Sequence, residues 1–107
     1  MIVVATCPRL LFGFDAITIW PLILIKPERI HDAGLLAHEM VHYRRQTWVT
    51  PLWWLAYLLA PSFRLREEVL AYKRSVGHGM PLNVAADWLL RYRCGIDKHR
   101  AIELLQS

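Results

Sequence analysis

Residues 32–46, "DAGLLAHEMVHYRRQ", carry the pattern from which the rest of the chain can be read. Asp32 suits a helix N-cap, because its carboxylate can accept from backbone N–H groups of a first turn that has no partners for them. Leu36, Met40 and Tyr43 then recur at helical spacing on one side, while Leu35, Glu39, His42 and Gln46 fall on another with His38 beside them. The spacing predicts a helix from Asp32 to about Trp48 with two faces in use. Residues four apart lie one turn apart on one face, so the imidazoles of His38 and His42 can converge on a single metal ion. Glu39, one step round, is placed to reach a water at an open coordination position instead of sharing the ligand sphere.

Upstream, β-forming runs "MIVVAT", "RLLF", "AITIW" and "LILIK" are separated by Cys7-Pro8, by residues 13–15 and by Pro21. They predict a small antiparallel sheet. Pro21 has no N–H to give a ladder and belongs at an edge or a break. Downstream, Pro51 opens a second helix, "PLWWLAYLLA", which closes at Pro61. It is apolar on nearly all sides and reads first as a buried core helix, second as a surface over 52–60 that meets a membrane or a partner. A third helix over about 63–76 stops at Gly77-His78-Gly79, a fourth runs from near Pro81 to Cys94-Gly95, and Asp97 caps a last one, "KHRAIELLQ". Strands first and helices after predict an α+β fold: a small N-terminal antiparallel sheet followed by a helical bundle that carries the HExxH helix.

A chain of 107 residues, 55% apolar with five tryptophans, is enough for one domain over 1–107 with one core. The formal charge of +4 comes from thirteen basic against nine acidic residues, and the arginines are scattered in pairs, as on a solvated surface. Nucleic acid is not an expected partner. Cys7 and Cys94 are isolated, with no CxxC spacing, which favours a reducing compartment. The N-terminus lacks a basic region ahead of its apolar residues, and the longest unbroken apolar run, 52–60, is too short to span a bilayer. A cytoplasmic protein is expected.

Two imidazoles suit Zn²⁺, which needs a third protein ligand to complete a catalytic site with water in the fourth position. The third helix, "RLREEVLAYKRSV", offers Glu67 and Glu68, brought back to the first helix by the apolar helix between them. Glu68 shares a face with Tyr72, with the small Ala71 permitting close helix approach, and is the expected ligand. Glu67 is expected on a solvated face near Arg64 and Arg66.

At this point "HEMVH" and "EVLAY" resemble the gluzincin type of zincin, in which HExxH is followed on a later helix by Glu-x-x-Ala. "AITIWPLILIK", "LLAHEMVHYRRQ" and "FRLREEVLAY" together resemble small metallopeptidase-like proteins of bacterial and phage genomes, over residues 16–72. The resemblance implies zinc on His38, His42 and Glu68, with Glu39 as general base, and hydrolysis of a peptide or protein substrate by metal-activated water. Many thermolysin-like enzymes have aspartate where Tyr72 stands, to orient a ligand histidine, and Asp87 is the candidate substitute. Tyr57, Tyr72 and His78 are candidate oxyanion donors. Substrate would add along a sheet edge, limited by Pro21. The alternative is a non-catalytic binding or structural protein, including one associated with nucleic acid, that keeps zinc as a staple.

Overall fold

In the strand "AITI" and its neighbour "LILI" the buried residues alternate with less buried ones, as a sheet with one covered face requires. The computed structural model describes the backbone of residues 3–6, the Val4 side chain and all of residues 15–107. Strands β1 (Val3–Thr6), β2 (Ala16–Ile19) and β3 (Leu22–Ile25) form one sheet in the order β1-β3-β2. β2 and β3 are the antiparallel pair the sequence predicts, in register Ile19↔Leu22 and Ala16↔Ile25. β1 adds to the other side of β3 in parallel, with Val3 opposite Leu22, so the sheet is mixed. Pro21 sits in the turn between β2 and β3, where no ladder donor is needed. The strand expected at "RLLF", and Cys7, lie outside the described residues.

Five α-helices follow: α1 (Ala33–Gln46), α2 (Thr50–Leu59), α3 (Pro61–Gly77), α4 (Leu82–Leu90) and α5 (Lys98–Gln106). Asp32 Oδ1 accepts from Leu35 N–H at 3.0 Å and Asp97 Oδ1 from Arg100 N–H at 2.8 Å, as N-caps do. α1 stops at Gln46 because Thr47 takes φ +42°, and a short 3-10 turn, Thr47–Val49, redirects the chain into α2. α4 ends at Leu90, short of the expected Cys94. Arg93 and Gly95 have φ of +55° and +75°, and Arg64 of α3 binds the carbonyls of Tyr92 and Arg93 that a continuing helix would use.

α1 lies between β2 and α3, and it buries its polar side. His38, Glu39, His42 and Gln46 are buried, whereas Leu36, Met40 and Tyr43 are only half-buried. This inverts the usual amphipathic helix. Small residues let α1 and α3 approach: Ala71 and Ser75 are fully buried, and Ser75 Oγ donates to Gly34 O at 2.8 Å. The apolar core lies on the other side of α3, where Tyr72 meets Ala85, Ala86 and Leu89 of α4 and Ala101 and Leu105 of α5.

The expectation that α2 is a buried core helix is corrected. It buries only Trp53 and Tyr57, because among the described helices it packs on α3 along one side. Leu52, Leu55, Leu58 and Leu59 stay exposed. Among the described residues, no helix is long and apolar enough to cross a membrane.

Candidate metal centre

The one-turn spacing of His38 and His42 points both rings from α1 toward α3, and Glu68 comes from α3 to meet them. The three side chains are buried. His38 Nε2 and His42 Nε2 are 3.2 Å apart, Glu68 Oε1 is 3.0 Å from the first, and 3.3 Å from the second. For bonds of about 2.0–2.1 Å to one ion, the edge of a coordination tetrahedron is about 3.3 Å. The triangle therefore fits one face of such a polyhedron, and the donor set of two imidazole nitrogens and a carboxylate can hold a metal ion. Both Nδ1 atoms are buried with no hydrogen-bond partner among the described residues, so no described carboxylate or carbonyl orients the rings from behind. Instead Tyr72 packs edge-on against His38, ring centroids 4.1 Å apart, and Trp53 against His42 at 5.4 Å.

Electrostatics without an ion follow from the same crowding. Burial pushes the His42 imidazole down from its usual 6.5, but the Glu68 carboxylate against it outweighs burial and raises it to about 9. Burial pushes the Glu68 carboxyl up, and the His42 and His38 rings outweigh that and hold it well below the carboxylate range. Burial and the Glu68 charge raise the Tyr57 phenol far above its ordinary range, so it remains a donor, and it donates to Glu68 Oε2.

Glu39 stands beside this triangle. Its Oε2 is 3.6 Å from His38 Nε2, and its Oε1 accepts from Thr18 Oγ1 of β2 at 2.8 Å. One end of the carboxylate is thereby tied to the sheet while the other faces the imidazoles. A cleft of about 710 Å³ opens over the group, lined by Ala16, Thr18, Glu39, Trp54, Tyr57 and Arg91 among others.

Glu67, adjacent in sequence, does something else. The solvated face expected for it is corrected: it is fully buried, with both oxygens 2.7 Å from Arg45 Nε and Oε1 accepting from Trp53 Nε1 at 2.6 Å. A helix rotation of about 100° separates it from Glu68, and α1 and α2 supply partners for both directions. Of the other candidates, Tyr57 lines the cleft. Tyr72 lies behind His38, its hydroxyl 3.0 Å from that of Tyr92. His78 is exposed at the end of α3, with Nδ1 3.0 Å from Arg74 O. Asp87 does not reach the histidines: it is exposed on α4 and pairs with Lys98 at 3.1 Å.

Two residues in the site went unremarked as site residues in the sequence. Thr18 alternates with Ala16 on the buried face of β2, and a hydroxyl at an inward strand position signals a buried acceptor opposite. Gln46 lies one turn beyond His42, and its side-chain amide donates to Thr18 O and accepts from Trp20 N–H, both at 2.9 Å. Gln46, not Pro21, closes that end of the β2 edge. No family model, curated protein or solved structure matches the chain.

Proposed function

We propose that the chain is a zinc-dependent metallopeptidase-like domain of the gluzincin type, with zinc on His38, His42 and Glu68 and Glu39 as general base. The observation that carries the reading is the triangle of two Nε2 atoms and a carboxylate oxygen with edges of 3.0–3.3 Å, with a fourth side chain, Glu39, beside it in the cleft. Held by these three side chains, zinc would supply a coordinated water of pKa ~7 and a Lewis acid for a substrate carbonyl. Glu39 would accept a proton from a water in the cleft and pass it to the leaving amine, with the Thr18 hydroxyl keeping its other oxygen in place. Tyr57 holds the Glu68 carboxylate in orientation.

An extended peptide has an edge to join. In the β2–β3 ladder Lys26 N–H donates to Asp15 O, so by alternation Ile17 and Ile19 also turn to β3 while Ala16 and Thr18 present their backbone groups outward. Gln46 takes Thr18 O, which among the described residues leaves the outward groups of Ala16 and the Thr18 N–H on the strand that lines the cleft.

The test is metal content of protein purified without added zinc, followed by turnover on a peptide library by the zinc-loaded chain and by Glu39→Gln. One zinc per chain, hydrolysis by the wild type, and loss of hydrolysis with zinc retained in Glu39→Gln are expected. Zinc without turnover would move the reading to a structural staple, and no zinc would remove both.

A further inference from the structure

We infer that α2 docks the protein on an anionic bilayer surface through the ridge Trp48, Leu52, Leu55, Leu58 and Leu59. The inference does not depend on the metal reading. On α2 the four leucines fall within an arc of about 120°, opposite the side on which Trp53 and Tyr57 are buried. Trp48, in the turn before α2, is 82% exposed, and the four leucines are 55–73% exposed. Water-facing apolar surface this continuous marks a contact.

The charges around it say with what. Between Glu39 and Asp87 the sequence has only two carboxylates, Glu67 and Glu68, and both are buried and paired. Arg44 in the last turn of α1 and Arg66 near the start of α3 are exposed, and these elements bracket the ridge along the chain, while Arg45 is held by Glu67. Residues 40–86 thus give the ridge exposed arginines on the chain either side of it and no exposed carboxylate. A second copy seated by two-fold symmetry would bring these arginines together with no exposed carboxylate of residues 40–86 to neutralise them. Nucleic acid offers phosphates but no apolar surface for four leucines. Anionic lipid supplies both: an acyl boundary for the leucines, a headgroup level for Trp48 and negative charge for the arginines. At ten residues α2 is about 15 Å long, so it lies in the interface instead of crossing it. Trp54 and Leu58 of the same helix line the cleft, and docking therefore holds the cleft at the lipid surface.

The experiment is co-sedimentation of the full chain with phosphatidylcholine vesicles, with and without phosphatidylglycerol, read also by tryptophan emission. Binding to the anionic vesicles is expected, with a blue shift, and weaker binding as salt rises from about 0.01 to about 1 M, where the Debye length falls from about 30 to about 3 Å. Leu55→Glu/Leu59→Glu should cut partitioning at least about tenfold. Trp48→Ala serves as a second variant should the first lose its circular dichroism spectrum. Arg44→Gln/Arg66→Gln should remove the preference for anionic vesicles. Failure to bind anionic vesicles, or binding unchanged in folded ridge variants, overturns the inference. A dimer in analytical ultracentrifugation that Leu55→Glu/Leu59→Glu dissociates also overturns it, in favour of self-association.

Discussion

Glu67 and Glu68 are consecutive on α3 and both buried, yet their carboxylates serve different partners: Glu67 accepts from Arg45 Nε at 2.7 Å, and Glu68 lies 3.0 Å from His38 Nε2. One joins α3 to α1 as an ion pair and the other completes the His38–His42–Glu68 triangle that could hold a metal. Glu68→Ala should weaken zinc binding by more than about 100-fold, beyond what loss of an outer-shell partner does. Glu67→Ala should keep one zinc per chain at saturation but destabilise the fold by about 1–3 kcal/mol, because the Trp53 indole N–H loses its buried acceptor. Parallel zinc titrations and thermal melts separate the two, and equal loss of zinc in both would dissolve the division of labour.

The Thr18 hydroxyl tests whether Glu39 needs its tether. Thr18→Val preserves shape and removes the donor to Glu39 Oε1. A charge-assisted hydrogen bond is worth about 1.5–3 kcal/mol, so kcat should fall about 10- to 100-fold with zinc content and KM little changed. If kcat holds steady, Thr18 is only a packing residue.

Tyr57→Phe distinguishes an orienting phenol from an oxyanion donor. Its hydroxyl donates to Glu68, so its loss should lower zinc affinity about 10- to 100-fold while kcat at saturating zinc changes little. A drop in kcat of about 10²–10³ with zinc affinity intact would instead assign the hydroxyl to the developing oxyanion.

The metal-free site has its own pH signature. His42 is raised from 6.5 to about 9, so its pairing stabilises the fold fully below about 6.5 and that contribution is lost as pH rises through 9. Glu68 is held below its usual 4.5, so its contribution is present above 4.5 and lost as pH falls below it. In chelator the thermal midpoint should therefore peak between about pH 4.5 and 6.5 and decline toward pH 9. Zinc needs neutral imidazoles, so binding should release protons at neutral pH and tighten as pH rises toward 9. Thermal melts with and without chelator, and calorimetry in buffers of different ionisation enthalpy, check both limbs. A flat profile in chelator would mean the His42–Glu68 pair is not charged in the apo fold.

Local chemistry in the sequence was enough for the α+β order, for the caps at Asp32 and Asp97, and for the placing of His38, His42 and Glu39 on one helix, because caps and one-turn spacing act within a few residues. The β-forming runs "AITIW" and "LILIK", broken at Pro21, likewise predicted antiparallel pairing, which β2 and β3 show. What stands on each face was decided only when the elements packed. α1 buries its polar side because β2 and α3 bring Thr18, Glu67 and Glu68 to meet it, and no periodicity in α1 alone records those partners. Glu67 looked like a surface carboxylate until Arg45 and Trp53, far off in sequence, closed around it. α2 looked like core because its composition is apolar all round, but among the described residues α3 and the His42 ring of α1 cover only the side that carries Trp53 and Tyr57.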